Sequence, residues 1–259
     1  MTGSIGPNDP PGTRISVVIP VKDHTAELRR VLADLAAQTR RPDEVVVVDN
    51  GLDDEVVAIA SAAGCVVVRE SEPGVAAAAS AGYDAASGDI IARCDADSRL
   101  PRGWIAEIER AMSDADLAAV TGPGYFYDIP VPLSAWRIPL SELYMGLYRW
   151  TMTAALAGTP VFGSSCALRR TAWERVRAEV HRVGTDIHDD VDVSVHLGAH
   201  GLRVGWDPRL VVGISADPLR HSGGRRFRRG WRALTVHWPD EQPTLRWRRR
   251  IHRRIGAGV

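Results

Sequence analysis

The sequence predicts a single α/β domain, a mostly parallel Rossmann-like sheet flanked by helices, followed by a basic helical appendage at the C-terminus. Three observations carry that prediction. Short β-branched runs alternate with runs of helical periodicity through the first 120 residues, which is the signature of strand–helix–strand units and a sheet covered on both faces. The chain is 259 residues long, enough for one sizeable core and short for two full domains. Its formal charge is zero, yet residues 201–259 hold fourteen arginines against four acidic residues, so the end of the chain is strongly basic and the rest acidic.

Taken in order, residues 1–14 are rich in Gly, Pro and polar side chains, lack the apolar core of a secretory signal, and read as a flexible start; the expected compartment is cytoplasmic. Ile15 to Pro20 and Glu44 to Asp49 read as buried parallel strands. Between them Leu28, Val31, Leu32 and Leu35 recur at helical spacing, with Thr25 placed as the expected N-cap. The unit repeats as a helix over Asp53 to Ala63, a strand over Cys65 to Val68, an Ala-rich helix over Val75 to Ala86 and a strand over Asp89 to Cys94. A helix from Trp104 to Met112 and a strand near Leu117 to Thr121 close a first half, 15–122. The second half, 123–222, opens with a Pro-, Tyr- and Trp-rich stretch, Tyr125 to Trp150, that suits a loop-and-helix insertion shaping an acceptor site or packing on the sheet. Trp150 to Leu168 carries no charge and approaches the length of a membrane span, but Gly158-Thr159-Pro160 and Gly163-Ser164-Ser165 break it with turn chemistry. The remainder, 223–259, is the Arg-rich segment. The three cysteines are far apart and form no zinc-binding pattern, so free buried thiols are expected.

In parallel sheets ligands bind beyond the carboxyl ends of the strands. Asp23, Asp49-Asn50 and Asp95-Ala96-Asp97 each stand just past a strand and should converge there; turn formation explains any one of them and explains Asp95 with Asp97 poorly. Carboxylates without a His/Cys cage suit a hard cation, Mg²⁺ or Mn²⁺. A GxGxxG fingerprint after the first strand is missing, which argues against a dehydrogenase, and Val21-Lys22-Asp23-His24 does not supply the Gly-rich cationic loop of a nucleotidyltransferase. His188, Asp192, His196 and His200 recur at i+4 spacing and read as a solvated helix face rather than a metal site.

At this point the chain resembles the family 2 glycosyltransferases, with their A-type nucleotide-sugar transferase fold. The resemblance rests on Pro20-Val21-Lys22-Asp23, on Asp49-Asn50-Gly51, and on Gly88-Asp89-Ile90-Ile91 leading to Asp95-Ala96-Asp97. It continues in Gly163-Ser164-Ser165-Cys166-Ala167-Leu168-Arg169-Arg170 and in His188-Asp189-Asp190-Val191-Asp192 followed by Gly201-Leu202-Arg203-Val204. It implies an inverting, metal-dependent transfer of a sugar from a UDP- or GDP-linked donor to an acceptor hydroxyl. Pro20, Val21, Asp23, Asp49, Asn50, Asp95, Ala96, Gly163 and Ser164 would line the donor site, and Asp97 would be the principal metal ligand, with Asp95 shared between metal and ribose. Asp190 would be the catalytic base and His221 a further metal ligand. The family's third helix usually carries Ala-Arg-Asn, whose Arg binds the nucleotide; here the stretch is Ala77-Ala78-Ala79-Ser80. Arg225 and Arg229, near His221, are the expected replacements for that cation, since guanidinium groups match phosphate. Arg246 to Arg254, around Trp247 and Ile251, reads as a basic amphipathic helix suited to an anionic membrane surface on the inner face and a lipid-linked acceptor. Nucleic acid is not the expected partner. The rival reading is a non-catalytic nucleotide- or nucleic-acid-binding module whose arginine tail holds phosphates.

Overall fold

The computed structural model of the chain describes residues 12–129, 131–184, 188–216 and 242–256, together with residues 228, 231, 232, 234, 235 and 238. The β-branched runs become strands β1 (Ile15–Val21), β2 (Glu44–Asp49), β3 (Val66–Arg69) and β4 (Ile90–Arg93). They are separated by helices α1 (Thr25–Ala36), α2 (Asp54–Ala62) and α3 (Val75–Ala85). α4 (Trp104–Met112), β5 (Leu117–Thr121) and a short β6 (Gly124–Phe126) follow. A 3-10 turn (Val131–Trp136) then leads into the long α5 (Arg137–Leu156). The remaining described elements are β7 (Cys166–Arg169), α6 (Arg170–Val176), α7 (Asp189–Ala199), β8 (Arg203–Trp206), β9 (Val212–Ile214) and α8 (Pro243–Gly256).

Seven strands form the sheet in the order β3-β2-β1-β4-β7-β5-β8, and β6 pairs with β9 in a separate two-stranded ribbon. All ladders of the large sheet are parallel except those of β7, which runs antiparallel to both β4 and β5. Alternation of side chains along β1 divides the core. Val17, Ile19 and Val21 pack with Leu28, Val31 and Leu35 of α1 and Ile105 of α4, whereas Val18 faces Ala78, Ala79 and Tyr83 of α3. The Ala-rich α3 lies flush on the sheet: a Cβ on Gly82 would stand 2.3 Å from Cγ1 of Val18, so only glycine permits that approach.

Two expectations need correction. Thr25 is the first residue of α1; the N-cap is His24, whose side chain makes no capping hydrogen bond. The His188/Asp192/His196/His200 stripe is not a solvated face, because Asp192 and His196 are buried. The uncharged stretch from Trp150 is broken as expected, since α5 stops at Leu156 and Ala157 takes a left-handed φ of 54°. Among the described residues no helix is long and apolar enough to cross a membrane.

Within the basic appendage the described α8 is helical, and several of its side chains hold the ends of other helices. Arg246 donates to the carbonyl of Ala155 at 3.1 Å and Arg250 to that of Ala157; Arg253 donates to Gly198 at 3.1 Å and to Ala199 at 2.8 Å. Trp247 Nε1 donates to Ala154 at 2.8 Å. These carbonyls end α5 and α7, where the last turn lacks intrahelical donors and the helix dipole favours a cation.

Candidate functional site

The parallel strands β1, β2 and β4 deliver their C-terminal residues to one edge of the sheet. At the end of β2, Asp49 is fully buried, and its Oδ1 accepts from the backbone N–H of Gly51 and of Asp53, each at 3.1 Å. Its Oδ2 lies 3.7 Å from Arg69 Nε and has no hydrogen-bond partner. A buried carboxylate oxygen of this kind is costly unless a ligand donates to it. Asp23, just past β1, holds a left-handed φ of 57° and faces Asp49 across Gly51, where a Cβ would stand 3.5 Å from Asp23 Oδ1 and 3.8 Å from Asp49 Oδ1. The expected convergence of these two positions is therefore present.

Asn50 has a different task. Its amide donates to the carbonyls of Glu70 and Glu72 at 2.9 and 2.7 Å, and its Oδ1 accepts from Gly74 N–H at 2.9 Å. The whole amide is engaged in holding the loop between β3 and α3. Pro20 and Val21 finish β1, Val21 in the core with its carbonyl accepting from Asn50 N–H at 2.9 Å, and Ala96 is likewise buried. These residues act through the backbone they shape.

At the end of β4 the arrangement centres on Arg93, which the sequence reading passed over. Its buried guanidinium pairs with Asp189 at the start of α7 and lies 3.2 Å from Asp95 Oδ1. Burial pulls its pKa down, but the charge of Asp189, then Tyr83 and Asp95, holds it well above the ordinary value. The glycine loop before β7 packs on this arginine: a Cβ on Gly163 would be 3.1 Å from the guanidinium carbon. The Gly163 N–H donates to Asp190 Oδ2 at 3.2 Å, and Ser164 Oγ donates to Asp95 Oδ2 at 2.5 Å. Gly163 and Ser164 thus hold two carboxylates in place.

Asp190 is the second residue of α7, and its Oδ1 accepts from Val191 N–H at 2.8 Å. Loss of water around the carboxylate, then the Asp189 charge, raise its pKa above the usual Asp value; His188, Arg93 and the Gly163 N–H oppose the shift. Asp97 is half-buried, and its carbonyl accepts from Tyr127 Oη at 3.1 Å. Arg99 covers the same tyrosine, its guanidinium 4.7 Å from the ring centroid, which keeps a cation beside the Asp97 loop. The Ala77–Ser80 stretch of α3 is wholly buried against the sheet and offers no cation. His221, Arg225 and Arg229 lie outside the described residues.

The model of Glycosyl transferase family 2 matches residues 16–176, more than half of the chain. The chain belongs to that family. An uncharacterized glycosyltransferase of Mycobacterium tuberculosis is 36% identical over 115 residues, covering 43% of this chain and 49% of that protein. The chain thus spans about half the length of the curated relatives it matches. Among solved structures, a mannosyltransferase from Pyrobaculum calidifontis in complex with GDP-Man and Mn²⁺ aligns with TM-score 0.61 and 24% identity, over 84% of this chain and 61% of that one. Glucosyl-3-phosphoglycerate synthase from Mycobacterium tuberculosis, in complex with Mn²⁺, UDP and glucosyl-3-phosphoglycerate, aligns with TM-score 0.55 and 18% identity, over 83% and 76%. At these identities the likeness establishes the A-type fold.

Sequence reasoning missed Arg93, Arg99 and Tyr127. For Arg93 a signal existed, since a charged residue closing an otherwise apolar strand needs a buried counter-charge.

Proposed function

We propose that the chain is an inverting glycosyltransferase that moves a sugar from a UDP- or GDP-linked nucleotide-diphosphate donor to an acceptor hydroxyl with Mg²⁺ or Mn²⁺. The observation that carries this reading is the bridge built by Arg93, which ties Asp95 at the end of β4 to Asp189 at the start of α7. The bridge joins Asp95, one of the metal-type carboxylates, to Asp189, the chain neighbour of the proposed base Asp190. The structural neighbours in complex with Mn²⁺ and GDP-Man or UDP support the same donor class here.

The residues present fit a hard cation, because Asp95 and Asp97 offer oxygen ligands only. When bound, such an ion neutralises charge growing on the departing diphosphate. Asp49, through its Oδ2, which faces Arg69 but accepts no hydrogen bond, takes a donor N–H or O–H from the base or ribose. Arg99 supplies the cation that α3 lacks, alongside Arg225 and Arg229 of the tail. Asp190 receives the acceptor's proton on a carboxylate oxygen; Gly163 N–H and Val191 N–H each occupy one lone pair and fix the other outward. One base acting on the acceptor implies a single displacement and inversion, as the family resemblance suggests.

The reading of the tail as a nucleic-acid grip finds less support, since Arg246, Arg250 and Arg253 are committed to helix-terminal carbonyls. Contact with an anionic membrane and a lipid-linked acceptor is supported by exposed apolar side chains on two helices, Leu143, Leu147 and Trp150 of α5 and Trp247, Ile251 and Ile255 of α8. Trp150 and Trp247 line one groove with Tyr125, Arg149 and Trp206. Replacing Ile251 and Ile255 by Ser should abolish sedimentation with anionic vesicles at low salt; a wild-type chain that stays in the supernatant would remove the membrane from the proposal.

The central reading is tested by Asp97→Asn, assayed for Mn²⁺-dependent binding and hydrolysis of UDP- and GDP-sugars. Both should fall together, and an unchanged variant would return the chain to the binding-module reading.

A further inference from the structure

α7 carries a second cluster of titratable side chains. Asp190 faces the strand ends, and Asp192, about 200° further round the helix, faces the segment that follows α6. His181 in that segment donates its backbone N–H to Asp192 Oδ2 at 2.7 Å and places Nδ1 2.9 Å from Asp192 Oδ1. His196, one turn along α7, brings Nε2 to 3.7 Å from the same Oδ1. One ligand atom from each of the three side chains lies within 4.8 Å of the others, and among the described residues this is the cluster with metal-ligand geometry. Glu179 completes the outer layer, with Oε2 3.3 Å from His196 Nδ1 and Oε1 2.7 Å from His200 Nε2.

We propose that His181 Nδ1, Asp192 Oδ1 and His196 Nε2 bind one borderline divalent cation, with Zn²⁺ as the preferred ion. Three observations converge on it. Two imidazoles with one carboxylate are a zinc-type donor set, distinct from the oxygen-only set at the strand ends that selects Mg²⁺ or Mn²⁺. Zinc bonds of about 2.0–2.1 Å put the corners of a tetrahedron roughly 3.4 Å apart, and the distances of 2.9 and 3.7 Å to Asp192 Oδ1 bracket that value. The outer groups already hold the ligands in the required orientation. Glu179 engages His196 Nδ1, so Nε2 is the ring nitrogen toward Asp192, and the His181 N–H engages Asp192 Oδ2, so Oδ1 is the oxygen toward both imidazoles; a carboxylate behind a ligating histidine is the usual outer shell of zinc. Asp192 is buried while the His181 side chain is 37% exposed, so one face stays open for entry and for a water as fourth ligand. The ion would fasten the segment after α6 to the helix whose first turn presents Asp189 and Asp190. This goes beyond the glycosyl-transfer reading and stands without it.

The test uses the full chain, stripped with a chelator and titrated with Zn²⁺ against a chromophoric competitor in excess Mg²⁺, which occupies the oxygen site. Wild type and Asp97→Asn should each take up one tight equivalent. His181→Ala and His196→Asn should bind at least a hundredfold more weakly, and Glu179→Gln roughly tenfold, the scale of outer-shell effects. Co²⁺ added to the stripped wild type should give the visible absorption of an imidazole-ligated low-coordinate site, which needs no variant to fold. Absence of that band, or zinc uptake unchanged in both histidine variants, overturns the proposal.

Discussion

Asp49 and Asp190, the proposed nucleotide contact and the proposed base, are held in place by different means. Asp49 is tethered by its own turn, through the N–H groups of Gly51 and Asp53. Asp190 has one local tether, the Val191 N–H, and is otherwise held from across the fold, by Gly163 N–H and by the Arg93 bridge to its neighbour Asp189. A turn-held carboxylate is pre-organised as soon as its loop forms. Asp190 takes its full set of contacts only when the sheet, the glycine loop and α7 are assembled, so the proposed base depends on more distant parts of the chain than the proposed nucleotide contact does.

That contrast can be broken most severely at Arg93. Arg93→Met removes the guanidinium and leaves the buried Asp189 without its counter-charge, a loss of about 3–5 kcal/mol. Thermal unfolding should show a large drop in Tm, and nucleotide binding through Asp49 should survive in whatever fraction stays folded. A variant as stable as wild type would show that the bridge is not what assembles the base.

Asp190→Asn should leave the fold intact and lower kcat by ~10²–10⁴, with donor affinity within a few-fold. Its pH behaviour adds a sign. Because the native pKa is raised, the unfolded chain loses this proton first, so Asp190 makes stability fall as pH rises from the usual Asp value to the raised native one. Activity should rise over the same interval as the base becomes ionised, and Asp190→Asn should flatten both profiles. Persistence of the acid limb in the variant would move the base elsewhere.

Gly163→Ala probes the packing between the two tethers. The added methyl meets a pinned guanidinium at 3.1 Å and should cost ~1–3 kcal/mol by overpacking, with a loss in kcat larger than in donor affinity. The mildest change is Asp49→Asn. Its Oδ1 can still accept from Gly51 and Asp53, so Tm should move little while nucleotide affinity falls about tenfold, the value of one lost charged hydrogen bond. A large Tm loss here would make Asp49 a structural residue first.

The same local-versus-remote distinction decides what the sequence discloses. The strands, α4 and the strand-end acids were legible because periodicity and turn chemistry act over a few residues; Trp104–Met112 falls where its apolar spacing puts it. The tasks of Asn50, Gly163 and Ser164 were not, since their partners lie 20 to 69 positions away. Arg93 was invisible for the same reason, with Asp189 96 positions along the chain. The i+4 stripe on α7 was seen and misjudged, because His181, which turns it inward, belongs to another segment. The antiparallel insertion of β7 between β4 and β5 also has no local signature.

The capping of α5 and α7 by α8 gives the tail a mechanical meaning. Arg253 grips the last carbonyls of the helix whose first turn holds Asp190, while Arg246 and Arg250 grip the end of the helix that borders the aromatic groove. A guanidinium held on a helix-terminal carbonyl has a fixed orientation but keeps further N–H donors, five in all. An anionic surface that pulls these three arginines off the carbonyls would loosen both helix ends, so amide exchange in the terminal turns of α5 and α7 reads whether the tail stays clasped.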